Sequence, residues 1–263
     1  MINFFRKIRQ KPLSEGNTGK PAWPVGRYLK YAIGEIILVV IGILIALSIN
    51  NWNQSKQDQK LEINYLEGIQ TNLQDDIEEL DLLFKLDTIK FNAYTSLIRT
   101  FSKDPSKSNQ QEIISNLYNA SGYNWFEGQN VVFEDMKSSG KLNLIQSDSI
   151  KFSIQKYYRF FEEVIKQENL YNSFIEKYTD RNNQYFNVSS FIEANAEEQW
   201  NGQTGPPSLS LFENPEFDLI KPKLVDNFSL MKDSRTHAFE VRMVLYQKAL
   251  VLKGMIEDYL YDS

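Results

Sequence analysis

A long apolar segment near the N-terminus, residues 32–49 (AIGEIILVVIGILIALSI), constrains this chain more than any other feature. As an α-helix it would extend about 27 Å, which is close to the hydrocarbon thickness of a bilayer. A helix is favoured despite the β-branched residues, because in lipid every backbone N–H must find its partner within the segment. Tyr28, Tyr31 and Trp52 flank it, where aromatic rings prefer the membrane interface. The segment therefore predicts a transmembrane helix over residues 31–50.

Two other interpretations of this segment are a cleaved signal peptide and a buried helix of a soluble fold. The apolar region of a signal peptide usually spans about 7 to 15 residues. The segment here is longer and contains Glu35. We therefore favour a permanent membrane anchor.

The distribution of charge predicts the orientation of that anchor. Residues 1–30 contain seven cations and one acid, a net charge of +6. The whole chain carries −5, so the remainder carries −11. Basic flanks stay on the cytoplasmic side of a membrane, which places residues 1–30 in the cytoplasm and the acidic remainder outside it. Within the basic segment, residues 1–11 could form a surface helix or a basic tail, and residues 12–26 are a linker rich in Pro and Gly.

Composition excludes several classes of function. The chain has no cysteine and a single histidine, His237, so cysteine chemistry and multi-histidine metal sites are not expected. Its acidic balance argues against nucleic acid binding, which needs a basic surface. No pair of carboxylates is spaced in a way that indicates a hydrolase. We expect no catalytic residues, no metal and no cofactor.

Apolar residues beyond the span recur mainly every three or four positions, which is typical of amphipathic helices. The predicted helices are residues 56–102, 110–120, 130–139, 148–186 and 223–261, with a short one at 189–199. We expect an extended link at 142–145 and a left-handed cap at Gly140, and the pattern allows a break in the last helix near Asp233. The predicted fold is all-α, with one N-terminal transmembrane helix followed by a long-helix bundle domain over residues 54–263.

Three residues of the span, Glu35, Gly42 and Ala46, lie on nearly the same helical face. Small residues let a second helix approach closely, and a carboxylate in hydrocarbon needs a partner, water or a proton. One interpretation is a helix–helix contact in the membrane that uses these three residues. The other is that Glu35 reaches the headgroups beside Lys30.

A cluster of aromatic residues lies beyond the second predicted helix, and the candidate site residues there are Tyr123, Trp125, Phe126 and Phe133. They could line a small pocket or a partner groove, or the loop could simply pack into the end of the bundle. The acidic run over residues 75–81 is interpreted as a solvated helix face, because apolar residues interleave with it at core spacing. His237 is expected at the surface or at the edge of the core.

Two segments carry a resemblance to a known family. Residues 30–53 (KYAIGEIILVVIGILIALSINNWN), together with the opening NFFRKIRQK, and residues 133–158 (FEDMKSSGKLNLIQSDSIKFSIQKYY) resemble membrane proteins of Bacteroidota-type bacteria catalogued as domain of unknown function 6090. The insert at residues 16–26 departs from the family pattern. The resemblance implies an inner-membrane protein with a periplasmic helical domain, and it implies no activity.

These observations favour a non-enzymatic, membrane-anchored envelope protein whose helical domain binds a partner or itself. Its expected partners are the lipid bilayer and either a second copy or another envelope protein. The alternative is an extracytoplasmic sensor that passes a ligand signal through the span to a separate partner. Continuity of helical pattern between the span and the next helix motivates that alternative.

Overall fold

The computed structural model describes residues 25–103, 105, 110–186 and 214–262. Its elements are α1 (Val25–Phe101), α2 (Gln110–Ala120), α3 (Val131–Ser138), a 3-10 helix (Lys141–Leu144), α4 (Asp148–Phe186) and α5 (Phe217–Asp262). The described residues contain no strand, which confirms the predicted all-α fold. The chain divides into two compact units, residues 1–57 and 58–263. The predicted surface helix at 1–11, most of the predicted linker and the short helix at 189–199 fall outside the described residues.

In the first unit, the described residues 25–57 are helical. Among the described residues, α1 alone is long and apolar enough to cross a membrane, and the apolar side chains from Ile33 to Ile49 are exposed. The sequence predicts two helices here, a span over residues 31–50 and a second helix that starts at residue 56. The structure instead keeps one helix through this region, because residues 43–67 contain neither Gly nor Pro to break the backbone ladder.

The second unit is built on three long helical stretches, which are residues 58–101 of α1, α4 and α5. One apolar cluster joins the earlier part of α1, between Leu66 and Leu83, to the start of α4 and the end of α5. A second cluster joins the end of α1, after Ala93, to α2, the later part of α4 and the start of α5. Within this unit, α1 and α4 therefore run in the same direction and α5 runs against them.

Several predicted boundaries are correct and others are wrong. Helices α2 and α4 have the predicted limits, and Gly140 adopts φ 70°, the predicted left-handed cap. The expected extended link is a 3-10 helix over Lys141–Leu144, which is common directly after a helix end. The final helix begins at Phe217, includes Pro222 and continues without a break at Asp233.

Candidate functional site

A layer of buried charge separates the two apolar clusters of the second unit. Helix α1 contributes Asp87 and Lys90, α4 contributes Glu168, and α5 contributes Arg235 and Arg242. In each long helix these residues lie in sequence between the members of the first cluster and those of the second. We call these five residues the ionic layer. Because charge is costly to bury without partners, the hydrogen bonds and ion pairs of the ionic layer determine the geometry of the site.

Arg242 is at the centre of the ionic layer and has an exposed fraction of 0%. Its Nε and Nη2 donate to the two carboxylate oxygens of Glu168 at 2.6 and 2.7 Å. Its Nη1 donates to Asp87 Oδ2 at 2.7 Å. The paired bonds to Glu168 are the fork geometry that arginine makes with a carboxylate. One guanidinium therefore links α1, α4 and α5.

The titration of two members of the layer reflects their burial. Burial raises the pKa of Asp87, although the neighbouring Arg242 and Arg235 oppose that shift. Burial and the positive charge of Arg235 lower the pKa of Lys90 to about 8. Lys90 is thus a cation at neutral pH that loses its proton more readily than a solvated lysine.

The cations of the layer hold the loop between α2 and α3, residues 121–130, by its backbone carbonyls. Asn124 O accepts hydrogen bonds from Arg235 Nη1 at 2.9 Å and from Arg242 Nη2 at 3.0 Å. Lys90 Nζ donates to the carbonyls of Ser121 and Gly122. The first half of the loop is therefore bound directly to the buried charges.

Two carboxylates of α1 hold the second half of the loop by its backbone amides. Glu79 accepts from Glu127 N at 2.8 Å and from Gly128 N at 3.0 Å. Asp76 accepts from Gln129 N and from the hydroxyl of Tyr157, both at 2.6 Å. Asp76 is fully buried, so the interpretation of the acidic run as a solvated face is wrong at that position. Asp75, Glu78 and Asp81 are exposed, as that interpretation predicts.

Burial also raises the pKa of Asp76, and its two hydrogen-bond donors offset only part of that rise. Desolvation raises the pKa of Asp76 to about 7, while the hydrogen bonds from Tyr157 and Gln129 favour the charged form. The nearby carboxylates of Glu79 and Asp75 add to the upward shift. The carboxyl of Asp76, which holds the second half of the loop, therefore changes its protonation near neutral pH.

The loop passes close to the core at Gly128, whose φ is 61°. A Cβ at this position would overlap the ring of Phe161 and would lie 2.5 Å from Phe126 Cζ. The two rings pack edge to face with centroids 5.5 Å apart. Glycine is needed here both for the left-handed backbone and for the space.

The four aromatic residues that the sequence singled out lie in two different environments. Phe126 and Phe133 are buried, with exposed fractions of 1% and 6%, and Phe133 stacks on Tyr158 with centroids 4.3 Å apart. Tyr123 and Trp125 are 44% and 46% exposed. In the structure Phe126 therefore anchors the loop in the core, and the rings of Tyr123 and Trp125 are exposed at the surface. Binding of a partner by these two rings stays a prediction.

The predicted contact residues of the span, Glu35, Gly42 and Ala46, are exposed along α1. A Cβ at Gly42 would meet nothing within 4 Å. The helix–helix contact therefore stays a prediction. His237, in the second unit, is exposed and packs edge to face with Tyr171, as expected for a surface position. No cluster of three or more potential metal ligands occurs among the described residues.

Comparison with known proteins places the chain in a family. Residues 35–198 match the sequence profile of a family of unknown function (DUF6090). The match includes the loop and α4, and it covers more than half of the chain, so the chain belongs to this family. No curated protein and no solved structure matches the chain.

Proposed function

We propose that this member of DUF6090 is a non-enzymatic, membrane-anchored envelope protein that binds a protein partner through the loop at residues 121–130. In this proposal residues 32–49 cross the inner membrane, the basic N-terminal segment lies in the cytoplasm and the second unit lies in the periplasm. The observation that carries the proposal is a loop fixed by buried charges that presents two exposed aromatic rings.

The proposed anchor rests on the apolar surface of the first unit. Apolar side chains such as Ile36, Leu38 and Ile49 are exposed to about 60% (62%, 60% and 61%). A contiguous apolar surface of this kind is unfavourable in water and favourable in lipid. The net charge of +6 over residues 1–30 supports the proposed orientation.

The proposed partner surface rests on the rigidity of the loop. Its backbone carbonyls and amides bind side chains of α1 and α5, so its conformation does not have to be ordered on binding. Pre-ordered loops bind with a smaller entropic cost. The Nε1 of Trp125 also donates to Glu127 Oε1 at 2.9 Å, which orients the indole ring. Trp and Tyr are enriched among the residues that dominate binding energy at interfaces.

Paired substitution of Tyr123 and Trp125 by alanine should abolish partner binding without unfolding the protein. A photo-crosslinking amino acid at Gln129, an exposed position of the same loop, should capture a discrete partner in intact cells, and the double variant should lose at least nine-tenths of that product. Loss of two exposed hot-spot rings typically costs about 2 kcal/mol or more in binding. The readout is the intensity of the crosslinked band, and thermal unfolding of the double variant should match that of the wild type.

The matched control is Leu170→Ala, because Leu170 is an exposed apolar residue of α4. This variant should keep the crosslinked product. A product that survives the Tyr123 and Trp125 substitutions unchanged would contradict the proposed surface. A product that consists of two copies of this chain would identify the partner as a second copy.

The sensor remains the second candidate, and a groove between α4 and α5 favours it. The groove has a volume of about 480 Å³ and an apolar lining that includes Met243, Val251 and Met255. Pockets of this size accept small ligands. In this alternative a ligand bound in the groove would change the packing of α4 against α5. The resulting signal would pass through the span to a separate partner.

A further inference from the structure

We propose that the ionic layer binds a small monovalent anion, of the size of a halide or formate, at the Nε and Nη2 edge of Arg235. This site is distinct from the proposed partner surface, although both depend on the loop. Its basis is the combination of buried donors that have no acceptor with an excess of buried positive charge.

Arg235 has an exposed fraction of 2% and uses only one of its three nitrogens. Its Nη1 donates to Asn124 O at 2.9 Å and lies 3.8 Å from Asp87 Oδ1. Its Nε and Nη2 are buried and have no hydrogen-bond partner among the described residues. Leaving buried charged donors without an acceptor is costly, so this edge needs an occupant.

The charges of the layer do not balance. Lys90, Arg235 and Arg242 are three buried cations, and Asp87 and Glu168 are two buried carboxylates. Within the described part of the chain, no third buried carboxylate contacts these cations. A water molecule would satisfy the two free donors but would leave the excess positive charge, whereas an anion satisfies both.

The geometry of the guanidinium limits the class of ligand. The Nε and Nη2 edge presents two parallel N–H bonds, which suit a single halide or the two oxygens of a carboxylate. Because both nitrogens are buried, the occupant must be small. The side-chain amide nitrogen of Asn124 is a further buried donor without a partner, and it belongs to the residue whose carbonyl already binds Arg235.

Anion binding should depend on the protonation of Lys90. The charged groups that act on Lys90 are Asp87 on its own helix and Arg235 on α5. Lys90 has a pKa of about 8, so raising the pH above that value removes one cation and with it the excess charge. The anion should therefore bind more tightly at pH 7 than at about pH 9.5.

The test uses the full chain in detergent and measures its thermal unfolding midpoint at constant ionic strength. Chloride, bromide or formate at about ten times its Kd should raise the midpoint by roughly 3 to 6 °C relative to gluconate, which is too large for the site. The rise should be smaller at about pH 9.5. Arg235→Gln should abolish it, whereas Arg159→Gln, at an exposed position of α4, should keep it.

A second measurement covers the case in which Arg235→Gln fails to fold. Crystals of the wild-type chain grown with bromide should show an anomalous peak within about 3.5 Å of Arg235 Nε and Nη2. Absence of that peak at a bromide concentration that saturates any thermal effect would overturn the proposal in favour of water. An equal midpoint rise in wild type and in folded Arg235→Gln would also overturn it.

Discussion

Replacement of Arg242 by methionine should destabilise the second unit by about 3 to 5 kcal/mol. The substitution leaves the carboxylates of Asp87 and Glu168 buried without the guanidinium that they share at 2.6 to 2.7 Å. It also releases one of the two donors to Asn124 O. In a domain of this size the thermal midpoint should fall by roughly 10 °C or more, measured by circular dichroism of the full chain in detergent.

The matched control is Arg159→Met, which removes an exposed arginine of α4 and should change the midpoint by about 2 °C at most. Combining Arg242→Met with Glu168→Gln should recover part of the loss, because the neutral amide no longer leaves a buried charge unpaired. If Arg242→Met and Arg159→Met were equally stable, the ionic layer would not hold the three helices together.

Substitution of Gly128 by alanine should have the second large effect. The added methyl group overlaps the rings of Phe161 and Phe126, and the left-handed backbone at φ 61° is unfavourable for alanine. Overpacking of a core costs about 1 to 3 kcal/mol and the left-handed conformation a further 1 to 2 kcal/mol. We expect a total loss of about 3 kcal/mol, measured by thermal unfolding.

Gly140→Ala separates the two causes. Gly140 also has positive φ, at 70°, but a Cβ there would meet nothing within 4 Å. It should therefore lose only about 1 to 2 kcal/mol, which is the backbone part alone. Equal losses at the two glycines would mean that the loop can move away from the core, contrary to the bonds that hold its amides to Asp76 and Glu79.

The sequence was sufficient to predict the helical architecture. Helix α4 was predicted with the limits that the structure gives it, because its apolar residues recur at helical spacing from Ile150 onward and turn residues bound it. The errors lie where two conformations have similar local signals. The segment Lys141–Leu144 is too short for periodicity to separate an extended link from a 3-10 helix, and Asp233 is tolerated within a helix whose opposite face is buried.

The ionic layer was missed, although the sequence contained its signal. Asp87 lies three residues after Phe84 and four before Phe91, so it occupies the apolar stripe of α1. Glu168 and Arg242 likewise occupy core positions of their helices, four residues after Val164 and four after Ala238. A charged residue at a core position predicts a buried partner, but the identity of that partner depends on contacts between residues up to 155 apart in the chain.

The proposed topology is tested most directly by the side of the inner membrane on which the N-terminal segment and the second unit each lie. The chain has no cysteine, so single cysteines at Ser14 and at the exposed Asn169 can be labelled with a membrane-impermeant maleimide. The proposed topology predicts that Asn169→Cys reacts once the outer membrane is permeabilised, and that Ser14→Cys reacts only after the inner membrane is lysed. Reaction of Ser14→Cys first, equal protection of both, or release of the chain from membranes by an alkaline wash would contradict it.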